Sequence, residues 1–327
     1  MAGHDRPVRR GVPRRERRSR LRAARHRVGS ARTAGGGVVT IGLVDAHVHV
    51  WDPARHDYPW LNGTDLRRPM LPAQIDRADG AATGMVFVQA GAAPHDALAE
   101  ATWVARSDWP ELIAIVADAD LRAAAKLGPH LDALAELPRV VGVRDLLQDD
   151  STDSFAERAD GLRIIAERGL SFDACVRHPQ LDALVALLER VPDVTVILDH
   201  LGKPPVDAGI DSPAGRRWSD AIMRVATRPG TFVKLSGLTA ESSDPTAFDR
   251  NADAFVEHAL TAFGPQRTML GSDWPVSATF GIGGRFIDWV ARVRRVVGER
   301  DWPEVAQASA RRAYLQPDLI DRGSVGP

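Results

Sequence analysis

Eight short runs of β-branched and other apolar residues, whose starts lie 24 to 42 residues apart, constrain the fold of this chain more than any other feature. They occupy residues 42–48, 84–90, 112–117, 140–145, 170–176, 194–200, 231–236 and 268–273. Several are separated by segments with apolar residues at i, i+3 and i+4, such as 180–193 (QLDALVALLERVPD) and 252–264 (ADAFVEHALTAFG). Strands that alternate with helices imply a parallel sheet covered by those helices. Eight such units over roughly 280 residues predict a single (β/α)8 barrel. A doubly wound open sheet is the alternative. No G-x-G-x-x-G follows the first strand, which weakens a dinucleotide-binding version of it.

In such barrels the chemistry lies at the carboxyl ends of the strands. The first run ends in His47 and His49, within VDAHVHVWDP. Residues i and i+2 of a strand share a face, so both rings can point into the barrel mouth. Arg144 and Asp145 end the fourth run, and Arg177 and His178 follow the fifth. His200 ends the sixth, in phase with Val196 and Leu198, and Asp273 ends the eighth, before Trp274-Pro275. Each taken alone has an ordinary reading: a hydrogen-bonded strand histidine, a packed ring, a turn-capping aspartate. Chance is a poor account of all of them at strand ends.

The order H-x-H, His, His, Asp resembles that of the amidohydrolase superfamily. The segments VDAHVHVWDPARHDYPWL, VRHPQL, LDHLGKPP, VKLSGL and MLGSDWPVS are similar to those of its amidohydrolase-related lactonase group, from about residue 41 to 316. That group includes sugar-acid lactonases and 2-pyrone-4,6-dicarboxylate lactonase. The resemblance implies that Asp273 takes a proton from water and returns it to the leaving alkoxide, with His200 as a catalytic partner. It implies one divalent ion, zinc or manganese, on His47, His49 and His178, with Glu100 as a further ligand. The same imidazoles could instead work without metal, by hydrogen bonding. No lysine ends the fourth run that could be carboxylated to bridge two ions. Arg144, Arg177 and Lys203 are candidates to hold a carboxylate or sugar hydroxyls, and Trp51, Tyr58, Trp60 and Trp274 to pack on a sugar ring. Asp145 stands where the group often has histidine; the added anion argues against a dianionic substrate.

The leading expectation is a hydrolase that opens the lactone of a small sugar acid. The rivals are a metal-dependent decarboxylase of the same superfamily and a non-catalytic barrel whose basic tail binds nucleic acid. That tail comes from a charge asymmetry. Residues 1–40 hold twelve arginines against Asp5 and Glu16, while the whole chain carries -1. Residues 1–39 are expected to be a disordered extension, with an over-extended gene start the plainest source. The barrel is expected over 40–320, with a short tail at 321–327. A single cysteine, Cys175, leaves no internal disulfide. With no apolar run of about 18 residues and no secretory h-region, the expectation is a cytoplasmic enzyme without membrane partners. Its partner is a small lactone; a homodimer stays open.

Overall fold

The computed structural model describes residues 42–315. The expected extension at 1–39 and the tail at 321–327 lie outside them. Eight parallel strands pair in sequence order: β1 Leu43–Val48, β2 Ala82–Val88, β3 Leu112–Asp118, β4 Val140–Leu146, β5 Ser171–Cys175, β6 Val196–Leu198, β7 Thr231–Leu235 and β8 Thr268–Leu270. Among the described residues the helices are α1 Ala97–Ala105, α2 Ala124–Ala135, α3 Ala159–Glu167, α4 Leu181–Glu189, α5 Pro213–Ala226, α6 Pro245–Phe263, α7 Val276–Thr279, α8 Phe286–Val297 and α9 Ser309–Tyr314. A parallel bridge between Val48 and Trp274 brings the last strand's continuation back to the first. This is the expected (β/α)8 barrel.

The strands are buried on both faces, which is why they read as apolar runs. Outward residues such as Leu43, Phe87, Phe172 and Leu235 pack under the helices in one large core. In α4, Leu181, Leu184, Leu187 and Leu188 fall on one face and are buried there. Each such leucine contributes roughly 1.5–3 kcal/mol. Helix starts are set locally. Asp244 caps α6 by accepting from the Thr246 and Ala247 N–H groups, and Ser212 caps α5 through the Gly215 N–H. Pro245 and Pro213 follow these caps, where a missing N–H costs nothing.

The barrel interior has two storeys. The apolar lower one holds Val44, Val86, Val116, Ile197 and Met269, and Tyr314 of α9 inserts among them. The upper one is polar. A register shift in β1 between Asp45 and Val48 interrupts strict alternation and turns the His47 end of the strand toward this upper layer.

Candidate active site

The polar layer is organised by the seam where the sheet closes. β8 ends at Leu270, and the chain beyond it zips onto β1. The Ser272 N–H donates to Asp45 Oδ1, the Asp273 N–H to the His47 carbonyl and the His49 N–H to the Trp274 carbonyl, each at 2.8 Å. Asp273 takes left-handed backbone, φ 54°, a region costly for a side chain and found mostly at constrained sites. Gly271 permits the close approach, since a Cβ there would stand 2.9 Å from the His47 Cβ.

Asp273 Oδ1 faces three imidazole nitrogens: His49 Nε2 at 3.4 Å, His47 Nε2 at 3.7 Å and His200 Nε2 at 3.8 Å. Ser277 Oγ donates to the other oxygen, Oδ2, at 2.7 Å. Burial alone would raise the Asp273 pKa, but the surrounding histidines prevail and hold it well below the ordinary carboxylate value. Burial lowers His200 to about 4. Burial and the neighbouring Lys234 ammonium hold His47 well below the usual histidine value.

His200 does not arrive by strand phase. β6 stops at Leu198, and His200 and Leu201 adopt left-handed backbone (φ 53° and 55°). This turn carries the ring over the mouth, where Nδ1 pairs with Ser236 Oγ at 2.9 Å. Gly237 leaves room for it: a Cβ there would lie 2.4 Å from His200 Nδ1.

The donor set fits a divalent ion. His47 Nε2, His49 Nε2 and Asp273 Oδ1 are separated by 3.1, 3.4 and 3.7 Å. A tetrahedral ion with bonds of about 2.0–2.1 Å spaces its ligands by roughly 3.3 Å.

Below this face lies a layer of buried charges, of which the sequence analysis singled out only Arg144. Lys234 Nζ, fully buried, lies 2.6 Å from Asp173 Oδ2, 2.9 Å from Asp199 Oδ1 and 3.0 Å from His47 Nδ1. Tyr314 donates to Asp173 Oδ2 at 2.7 Å from below. Arg144 NH1 lies 3.4 Å from Asp199 Oδ2, and its other terminal nitrogen donates to the Gln89 carbonyl. A charged residue in the middle of an apolar run (TFVKL, SFDAC) was the available signal for Lys234 and Asp173.

Above the site opens a pocket of about 400 Å³, bordered by His49, His200, Asp273, Arg144, Lys203 and Trp60. Lys203 Nζ pairs with Glu241 at 2.8 Å at its wall. The other sequence candidates are placed elsewhere. His178 is half-buried, its Nδ1 donating to the Lys203 carbonyl at 3.0 Å, and it does not join the His47–His49–Asp273 group. Glu100 is buried but accepts from the Ala90 N–H (3.2 Å) and stays outside that group; burial pushes its pKa to about 8. Arg177 is exposed and pairs with Asp149 at 3.2 Å. Trp51 lies wholly inside the core, its indole N–H donating to the Leu66 and Arg68 carbonyls, and Tyr58 is buried in the same core. Trp274 lines a separate cavity of about 640 Å³ beside α6 and α8. Asp145 turns away to Arg158, 2.8 Å from its Nε, so it adds no charge to the pocket and the argument against a dianion lapses.

Comparison with known proteins gives this geometry its relatives. The chain is 32% identical to an L-fucono-1,5-lactonase of Burkholderia multivorans, over 85% of this chain and 97% of that protein. It is 29% identical to an L-fucono-1,5-lactonase of Burkholderia ambifaria, over 76% of this chain and 85% of that one. A crystal structure of an amidohydrolase from Burkholderia multivorans with bound zinc superposes with a TM-score of 0.73 at 28% identity, covering 84% of this chain and all of the other. The amidohydrolase profile matches residues 44–314. With its seam-built cluster of histidines and an aspartate at the mouth of the barrel, the chain belongs to the amidohydrolase family.

Proposed function

We propose that the protein hydrolyses the lactone of a small sugar acid. The observation that carries the reading is the meeting of Asp273 Oδ1 with three imidazoles on the floor of a pocket flanked by Arg144 and Lys203. The pocket suits one small ring. The likeness to the two L-fucono-1,5-lactonases supports the substrate class.

In the proposed reaction, water adds to the lactone carbonyl carbon and the ring C–O bond breaks. Asp273 Oδ1 takes a proton from the water and delivers it to the departing ring oxygen, giving a hydroxy acid. Ser277 donates to Oδ2, which leaves Oδ1 as the oxygen that faces the three imidazoles and the pocket. A carboxylate held so acidic draws a proton only from an acidified water, and that acidity, with Lewis-acid polarisation of the carbonyl, is what a zinc or manganese ion on His47, His49 and Asp273 supplies when bound. His200, fixed through Ser236, turns Nε2 toward the reacting carbonyl oxygen. Arg144 and Lys203 draw the carbonyl face and the hydroxyls of the substrate into the pocket.

A pH-indicator assay over aldonolactones, including L-fucono-1,5-lactone, with and without chelator, tests the proposal. Acid release from at least one sugar lactone is expected. Carbon dioxide release from hydroxybenzoates, with no lactone turned over, would replace it with decarboxylation.

A further inference from the structure

Each of the three cations that the sequence analysis named for a substrate carboxylate already faces a carboxylate of the protein. Arg144 NH1 lies 3.4 Å from Asp199 Oδ2, Arg177 NH2 lies 3.2 Å from Asp149 Oδ1, and Lys203 Nζ lies 2.8 Å from Glu241 Oε1. Among the described residues, the cations that border the pocket are Arg144 and Lys203, and Asp149, Glu241 and Asp273 stand against them. The wall therefore has no surplus positive charge with which to hold an anion. An anion that approached Lys203 would meet the Glu241 carboxylate beside it, and like charges that close repel. The two side chains are only 14% and 24% exposed, so salt and water screen little of that repulsion.

Two loops place this pair. Lys203 follows β6 on left-handed backbone, φ 52°. Its N–H donates to the His200 carbonyl at 2.8 Å, and its carbonyl accepts from His178 Nδ1 at 3.0 Å. Glu241 follows β7, in a turn where its N–H donates to the Leu238 carbonyl at 3.2 Å. Across the barrel from β6 stands β2, and the loop after β2 brings Ala90, Ala92, Ala93 and Pro94 to the pocket. Trp60 joins them there, and its indole N–H donates to the Ala90 carbonyl at 2.7 Å, so the ring's one polar group is used within the protein. One side of the pocket is thus apolar, and the other presents an ammonium beside a carboxylate.

A neutral ring with neighbouring hydroxyls matches this contrast. One hydroxyl donates to the carboxylate and the next accepts from the ammonium, which has three N–H donors and needs one for the pair. The carbon face of the ring packs on the apolar side. We propose that Glu241 sets the charge of the substrate: paired with Lys203, it presents an acceptor beside a donor to two neighbouring hydroxyls and turns away lactones that carry a free carboxylate. The inference rests on the lactone reading above and deepens it, by naming a neutral polyhydroxylated ring.

The test compares the best aldonolactone of the pH-indicator assay with the matching aldarolactone, whose terminal carbon is a carboxylate. Full-length wild-type protein is expected to favour the neutral lactone in kcat/KM by about tenfold or more. Glu241→Gln frees the ammonium and keeps the size of the side chain. It is expected to raise kcat/KM on the carboxylate lactone by about tenfold and to lower it on the neutral one. A merely structural role would lower both together. Adding Lys203→Met to Glu241→Gln is expected to cancel the gain. Equal preference in the wild type, or an unchanged ratio in Glu241→Gln, overturns the proposal; should Glu241→Gln fail to fold, the wild-type ratio decides alone. If no sugar lactone is hydrolysed, the lactone reading fails by itself, and calorimetry with methyl β-D-galactopyranoside and its uronate reads the charge preference instead. Tighter binding of the uronate by the wild type, or no gain for it in Glu241→Gln, then overturns this proposal as well.

Discussion

The Asp273 N–H donates to the carbonyl of His47 at 2.8 Å, and the same two residues bring their side chains to within 3.7 Å, Oδ1 to Nε2. One pair of residues thus both closes the barrel and brings a buried carboxylate to an imidazole. Backbone register at the seam fixes side-chain geometry at the site. Substitutions that spare the seam backbone therefore separate chemistry from fold.

Asp273→Asn keeps the backbone donor and the size of the side chain but removes the basic oxygen. The turnover number on the best lactone is expected to fall by about a hundredfold or more, with the melting temperature little changed. A variant that keeps wild-type turnover would remove Asp273 from the mechanism.

Gly237→Ala puts a methyl group 2.4 Å from His200 Nδ1, on backbone with φ 76°. The ring must move away from Ser236, because the backbone of the turn has less freedom than the imidazole. A loss of roughly tenfold or more in kcat is expected. The positive φ adds a stability loss of roughly 1 kcal/mol. Steady-state kinetics beside a urea titration check both parts, and unchanged kcat would show that His200 is not held as described.

Lys203→Met leaves the histidine cluster untouched and removes a cation from the pocket wall. Substrate affinity is expected to suffer more than chemistry. KM should rise about tenfold, near the value of one charge-assisted hydrogen bond, while kcat stays within a few-fold. Equal falls in kcat and kcat/KM would place Lys203 in the transition state instead.

Glu100 gives a pH-dependent signature. Burial raises its pKa from the ordinary 4.5 to about 8 in the folded protein. Between those values the folded state keeps a proton that the unfolded chain has released, so this residue costs stability as pH climbs from about 4.5 to about 8. Glu100→Gln abolishes that loss. In urea unfolding, the variant should gain on the wild type steadily from pH 5 to pH 8 and no further above it. Bound zinc should be unaffected, because Glu100 lies outside the donor group. A stability difference independent of pH would show that Glu100 is ionised in the fold.

The barrel was legible because its strands are apolar on both faces and its helices amphipathic; periodicity alone located each strand to within a few residues. His47 and His49 were legible because i, i+2 spacing at a strand end survives folding, even with the register shift in β1. The rest depended on contacts between distant segments. Trp51 read as a mouth residue, but residues 66–70 fold back over it and bond its indole and backbone. Asp145 read as a pocket anion because its partner, Arg158, lies a whole loop away. Lys234 and Asp173 stayed silent for another reason: a buried ion pair looks, one strand at a time, like two isolated charges.

Tyr314 closes the barrel floor and reaches the buried charges from beneath, while His47 comes from the first strand. On the ribosome these residues emerge far apart in time. At about 5–20 residues per second, roughly ten seconds to a minute separates them. Until α9 seats, Asp173 lacks its phenol and the barrel lacks its stopper; until the stretch after β8 is made, the histidines lack their carboxylate. Half-made chains carry the histidine pair of the first strand without the Asp273 carboxylate that faces it. The cluster is an assembly of segments from both ends of the barrel.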